Sequence, residues 1–124
     1  MRIKELGADE FACSMALIAD AVDHVMNGGV GEQIVKEVAA GAGKASDEES
    51  AAEWGIGIIK KYLPHVLKEN VEDVYRVLAA CDGQTLEQYK EAFKPAKFAA
   101  DLNALVGAFK ADGEIRELFG SFFG

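Results

Sequence analysis

Apolar residues recur at intervals of three and four along this chain, and no stretch sustains the period-two alternation, rich in β-branched residues, that a strand needs. A polypeptide patterned this way buries its stripes by packing helix on helix. Phe11, Met15, Ile18, Val22 and Val25 share one face of a first helix that Asp9 is placed to cap, and two heptads are too few for a coiled coil. Val30, Ile34 and Val38 mark a shorter second helix. Trp54, Ile58 and Tyr62, widened by Ile59, Leu63 and Val66, predict a third that is well buried, its indole included.

The breaks between stripes have their own chemistry. Asn27-Gly28-Gly29 and Gly41-Ala42-Gly43 end the first two helices, and the small, polar run 41–50 predicts a flexible loop, with Ser50 and Glu53 as a capping box for the third helix. Pro64 removes a backbone donor, so the third helix is expected to kink or stop near Leu63. Asn70 suits the cap of a helix carrying Val71, Val74, Tyr75 and Leu78. Thr85 with Gln88 forms a second capping box, opening a short helix with Leu86, Tyr89 and Phe93 inward. Pro95 fits the first turn of a helix with the stripe Phe98, Leu102, Leu105, Phe109, and Ile115, Leu118, Phe119 and Phe122 make the last. Asp82-Gly83 and Asp112-Gly113 each precede a short helix, but their flanks are too brief for a repeat. The expectation is an all-α fold, a single domain over residues 1–124 built of six or seven helices.

The formal net charge of -8 sits mainly in residues 1–50, where ten acids face four bases. That balance opposes binding to nucleic acid or to anionic membranes, since no basic stripe is present to displace counterions. Gly7, Asp9 and Glu10 interrupt the start before any apolar signal core, so no secretory leader is expected, and no apolar run reaches the roughly 20 residues that span a bilayer. Cys13 and Cys81 lie far apart without metal-ligand spacing and are expected to be reduced, core-packed thiols, which points to the cytoplasm.

No catalytic, cofactor or metal site is expected. Gly41-Ala-Gly-Lys-Ala-Ser46 resembles a phosphate loop only in part, because Val38 stands where the first glycine belongs and Ala45 where Ser or Thr should follow the lysine. Around Gly113, the calcium-loop positions one, three and twelve are Ala108, Lys110 and Phe119, which cannot coordinate the ion. Asp20 and His24 lie four apart on one helix face, but nothing nominates further ligands, and a solvated acidic face with one His is the preferred reading. His65 follows Pro64 at a surface or capping position, and the scattered carboxylates are expected to face solvent. The terminal Leu118, Phe119, Phe122 and Phe123 either complete the core or form a partner-binding patch.

Val71-Glu-Asp-Val-Tyr-Arg-Val-Leu-Ala-Ala80, then Gly83-Gln-Thr-Leu-Glu-Gln-Tyr89, a further helix and a Phe-rich end together resemble the tail assembly chaperones of long-tailed bacteriophages. The likeness covers roughly the second half of the chain. It implies a small acidic helical protein without catalysis that binds the tape measure protein before the tail tube polymerises, with tail tube protein as a further candidate partner. It also implies self-association and, in the family, a longer frameshifted form. The alternative class is a bacterial helical adaptor or regulatory interaction module, and a third is a small enzyme using Asp20 and His24.

Overall fold

A computed structural model describes residues 2–41 and 48–120, with side chains left out at 48–52, 116, 119 and 120. The described residues form a short 3-10 turn, Ile3–Glu5, and seven α-helices with no strand among them. These are α1 (Ala8–Met26), α2 (Gly29–Gly41), α3 (Glu48–Glu69), α4 (Val71–Cys81), α5 (Leu86–Glu91), α6 (Pro95–Ala111) and α7 (Gly113–Gly120). The all-α class expected from the period of the apolar residues is therefore the class observed.

α4 is the axis. It buries Asp73, Leu78, Ala79, Ala80 and Cys81, and its small Ala80 packs in one cluster with Ile18 of α1, the helix it meets most closely. One core cluster joins α4 to the chain ends through Ile3, Ile18, Ala80, Cys81 and Ile115; a second joins Leu78 and Ala79 to Tyr89 of α5. Leu105 of α6 packs on both clusters and so closes the far side of the bundle.

α4 ends in a Schellman motif. The Gln84 N–H donates to the Ala79 carbonyl at 2.9 Å and the Gly83 N–H to the Ala80 carbonyl at 3.1 Å, which requires the left-handed φ of +69° at Gly83. Thr85 and Gln88 then form the expected capping box, at 3.1 Å from Gln88 N to Thr85 Oγ1 and 2.9 Å from Thr85 N to Gln88 Oε1. Pro95 opens α6 at its first turn, where its missing N–H costs nothing.

Several local expectations are corrected. α1 starts at Ala8 with Gly7 as its cap, and Asp9 lies in the first turn beside Glu10, where both carboxylates complement the helix dipole. Asn70 holds the cap position of α4, yet its side chain bonds Asp73 rather than the backbone. α3 begins at Glu48, ahead of Ser50, so Ser50 lies within the helix and does not cap it, while 42–47 of the expected flexible loop lie outside the described residues. α3 also runs through Pro64 to Glu69, so it does not stop near Leu63: one lost hydrogen bond does not end a helix with apolar residues on both sides of the proline. Phe93 lies beyond α5 and is exposed, although its ring meets Tyr75 edge-on at 5.7 Å. The phosphate-loop-like residues 42–47 fall outside the described residues.

Candidate functional site

Where α1 turns into α2, Gly31 is buried against the backbone of Met26, so close that a Cβ would overlap it. This corner carries α2 away from the α1–α4 core, and α2 then packs on α3, which returns to meet α4 and α6. The apolar faces of these helices are wider than their mutual contacts. The result is an open cleft of about 480 Å³, within the size range of ligand and peptide pockets.

Its floor is Ala21, Val22 and Val25 of α1 with Val74 and Val77 of α4; Leu102, Leu105 and Phe109 of α6 close one end. Ile34 and Val38 of α2 and Ile58, Ile59 and Val66 of α3 form the opposite wall. Trp54 sits at the mouth with 38% of its surface exposed, so the expectation of a buried indole is corrected. Its ring lies against Gly41, where any side chain would collide with it. Val38 beside it is likewise exposed. Both were legible as apolar stripe residues, but a stripe does not reveal whether its helix has a neighbour.

Among the described residues a single charged side chain, Asp73, lines the cleft. Asp73 is 3% exposed, which corrects the expectation that the carboxylates face solvent. Its Oδ2 accepts from Asn70 Nδ2 at 3.1 Å and lies 2.5 Å from His24 Nδ1, while Oδ1 lies 3.4 Å from Arg76 Nη1. Arg76 also reaches Asp20 Oδ2 at 3.5 Å. Asp20 and His24, considered together as metal ligands, are instead parts of this lattice tying α1 to α4. With its oxygens committed to donors, Asp73 balances burial by hydrogen bonding. The spacing of Asn70, Asp73 and Arg76, three residues apart on one helix face, carried a signal for the cluster.

Of the terminal candidates, Leu118 is half-buried on the first core cluster, while the Phe119 side chain and both Phe122 and Phe123 lie outside the described residues. His65 is exposed with its ring 6.5 Å from that of Tyr62. Both cysteines are free, but Cys13 is exposed rather than core-packed; Cys81 is buried, and desolvation, aided by Asp82, pushes its thiol up to about 12. On the far face of α5, Tyr89 donates to Asp101 at 3.0 Å with Lys97 lying 5.0 Å over its ring. Burial, then Asp101, raises the phenol above its ordinary value. Among the described residues, no three His, Cys, Asp or Glu side chains gather as a metal site would require, and no helix is long and apolar enough to cross a membrane.

No protein-family model matches the chain, and neither the curated proteins nor the solved structures contain a significant match.

Proposed function

We propose that this protein is a non-catalytic chaperone that holds an apolar helical client, and that the client is the tape measure protein of a long-tailed bacteriophage or prophage. The observation that carries the chaperone part is the open apolar cleft between α1, α2, α3, α4 and α6. A concave, almost wholly apolar cleft of this volume is what a binding site for an apolar guest offers, and among the described residues its one carboxylate is already engaged. The identity of the client rests on the sequence resemblance in residues 71–89.

In this reading Leu118, Phe119, Phe122 and Phe123 supply a second contact surface, tail tube protein is a further partner, and copies of the chain associate with one another before the client arrives. The protein acts in the host cytoplasm. A very long helical protein is expected to be encoded directly downstream, and co-expression is expected to keep that client soluble and to yield a complex. A client equally soluble alone, with no complex recovered, overturns the assignment. If a complex forms and Phe122→Ala with Phe123→Ala leaves it intact, the terminal surface alone is wrong. An encoded neighbour of another kind that binds in the cleft returns the protein to the adaptor class.

A further inference from the structure

α2 and α3 stand apart from the rest of the fold. Both core clusters are assembled from the start of the chain, α1 and α4 to α7, and among the described residues neither takes a buried or half-buried side chain from α2 or α3. These two helices bury Val30 and Tyr62 outside both clusters. Their ion pairs among the described residues, Glu37 with Lys61 and Glu32 with Lys36, tie them to each other and to themselves. The remaining body has ties of its own, from Lys4 to α7 and from His24 and Asp20 to α4. A segment with little buried apolar surface, bonded mainly to itself, opens at a lower free energy than the core it leans on.

The pair joins that body at two points. α1 gives way to α2 through Asn27 and Gly28, and α3 gives way to α4 at Asn70 alone, whose φ of -131° and ψ of 37° lie outside the helical region. Asp73 fastens both joints to α4: its Oδ2 accepts from Asn70 and lies against His24, three residues before Asn27. Between the joints the apolar wall of α2 and α3 faces the floor across the open cleft, with Val38 and Trp54 exposed at the mouth. Two apolar surfaces on hinged supports gain free energy by meeting, because closure takes both out of water. We infer that α2 and α3 move as one flap on the joints at Asn27–Gly28 and Asn70, closing their wall onto the floor of α1, α4 and α6 when the cleft is empty and swinging back to admit a guest. In its use, as the gate of a client site, the flap rests on the chaperone reading above; its movement does not.

Spin labels on Cys13 of α1 and on Val35→Cys of α2 test this in the full chain. Both positions are exposed, Val35 does not line the cleft, and Cys81 is buried from the reagent. Pulsed electron paramagnetic resonance is expected to give two distance populations for this pair and a single one for a control pair within the body, Cys13 with Glu87→Cys on α5, an exposed position. Val38→Asn, a polar change at an exposed place on the wall, is expected to move weight toward the longer distance. Amide hydrogen exchange is expected to run about tenfold or more faster in α2 and α3 than in α1 and α4. A single distance as narrow as the control's, or amides in α2 and α3 protected as well as those of α1 and α4, overturns the flap. Two populations that Val38→Asn leaves unchanged also overturn it, because the motion then does not close the cleft. Neither readout requires a client. A rigid pair in a chain that still captures the tape measure protein overturns the flap and leaves the chaperone reading standing, whereas two populations that respond to Val38→Asn in a chain that captures no client support the flap without that use.

Discussion

His24 of α1 and Asp73 of α4 meet at 2.5 Å across 49 residues of sequence, and the carboxylate is nearly sealed while the imidazole side chain remains 68% exposed. The asymmetry assigns the two partners unequal weight. Asp73→Ala strips Asn70 and Arg76 of an acceptor at a site lining an apolar cleft, and unpaired groups of that kind cost about 1–3 kcal/mol. His24→Ala removes a solvated partner, worth roughly 0–1 kcal/mol. Chemical denaturation of the two variants is expected to rank them in that order; an Asp73→Ala protein as stable as the parent would show that the lattice does not hold α1 to α4.

Gly83 closes α4 in a conformation that L-residues adopt at a cost. At φ +69° a Cβ would also stand 2.7 Å from Leu6 Cδ2. Gly83→Ala is expected to destabilise by about 1–2 kcal/mol, reflecting backbone strain and the shift demanded of Leu6. The control is Gly107→Ala inside α6, which meets nothing within 4 Å and replaces a poor helix former by the best one. Melting curves of the two variants should separate by several degrees.

These turns were the legible part of the molecule because their chemistry is local. Thr85 and Gln88, Pro95, and Asp82-Gly83 act within four residues of themselves, and the structure places each where the sequence put it. The cleft was not legible, since Trp54 and Val38 carry the same periodic signature whether a neighbour covers them or not. The burial of Asp73 escaped for a related reason: its partner His24 comes from another helix. Pro64 does not stop α3, because Tyr62 before it and Val66 after it both bury apolar surface and outweigh one missing hydrogen bond.

The two thiols should react very differently. Cys13 is exposed, whereas Cys81 is buried with its thiol pushed up to about 12, so the nucleophilic thiolate is nearly absent at neutral pH. A disulfide exchange reagent is expected to titrate one thiol in the folded protein and both after denaturation. Rapid labelling of both thiols in the native state would contradict the packing of Cys81 against Ile3 and Ile18.

The start of the chain is fastened to the α6–α7 corner by Lys4, which lies 3.0 Å from both Asp112 and Glu114. The Lys4 hydrogen bond holds the Asp112 carboxyl below its ordinary value, and the same bond raises the lysine. A depressed carboxyl contributes stability above its unfolded pKa and loses it as pH falls through the folded one, so the contribution fades below about pH 4. On the alkaline side it fades only as pH rises through the raised lysine value. Asp112→Asn is therefore expected to flatten the acid limb of the stability curve and, less strongly because Glu114 still holds Lys4, the strongly alkaline limb, leaving the neutral region nearly flat as before, and added salt should shrink the difference because the pair is solvated. An acid limb identical in parent and variant would remove Asp112 from the account.

Filling the cleft separates stability from binding. Val66 of α3 is half-buried and lines the cavity, where a larger side chain can enter empty apolar volume instead of displacing packed neighbours. Val66→Phe is expected to raise stability by about 0.5–2 kcal/mol, as cavity-filling substitutions do. The same ring would occupy the space required by a bound helix, so affinity for the co-expressed helical client should fall tenfold or more. Val35→Ser provides the contrast: Val35 is exposed on α2 and does not line the cavity, so neither quantity should move far. A Val66→Phe protein that melts higher yet binds the client undiminished would show that the client docks elsewhere, because one volume cannot hold both the ring and the guest.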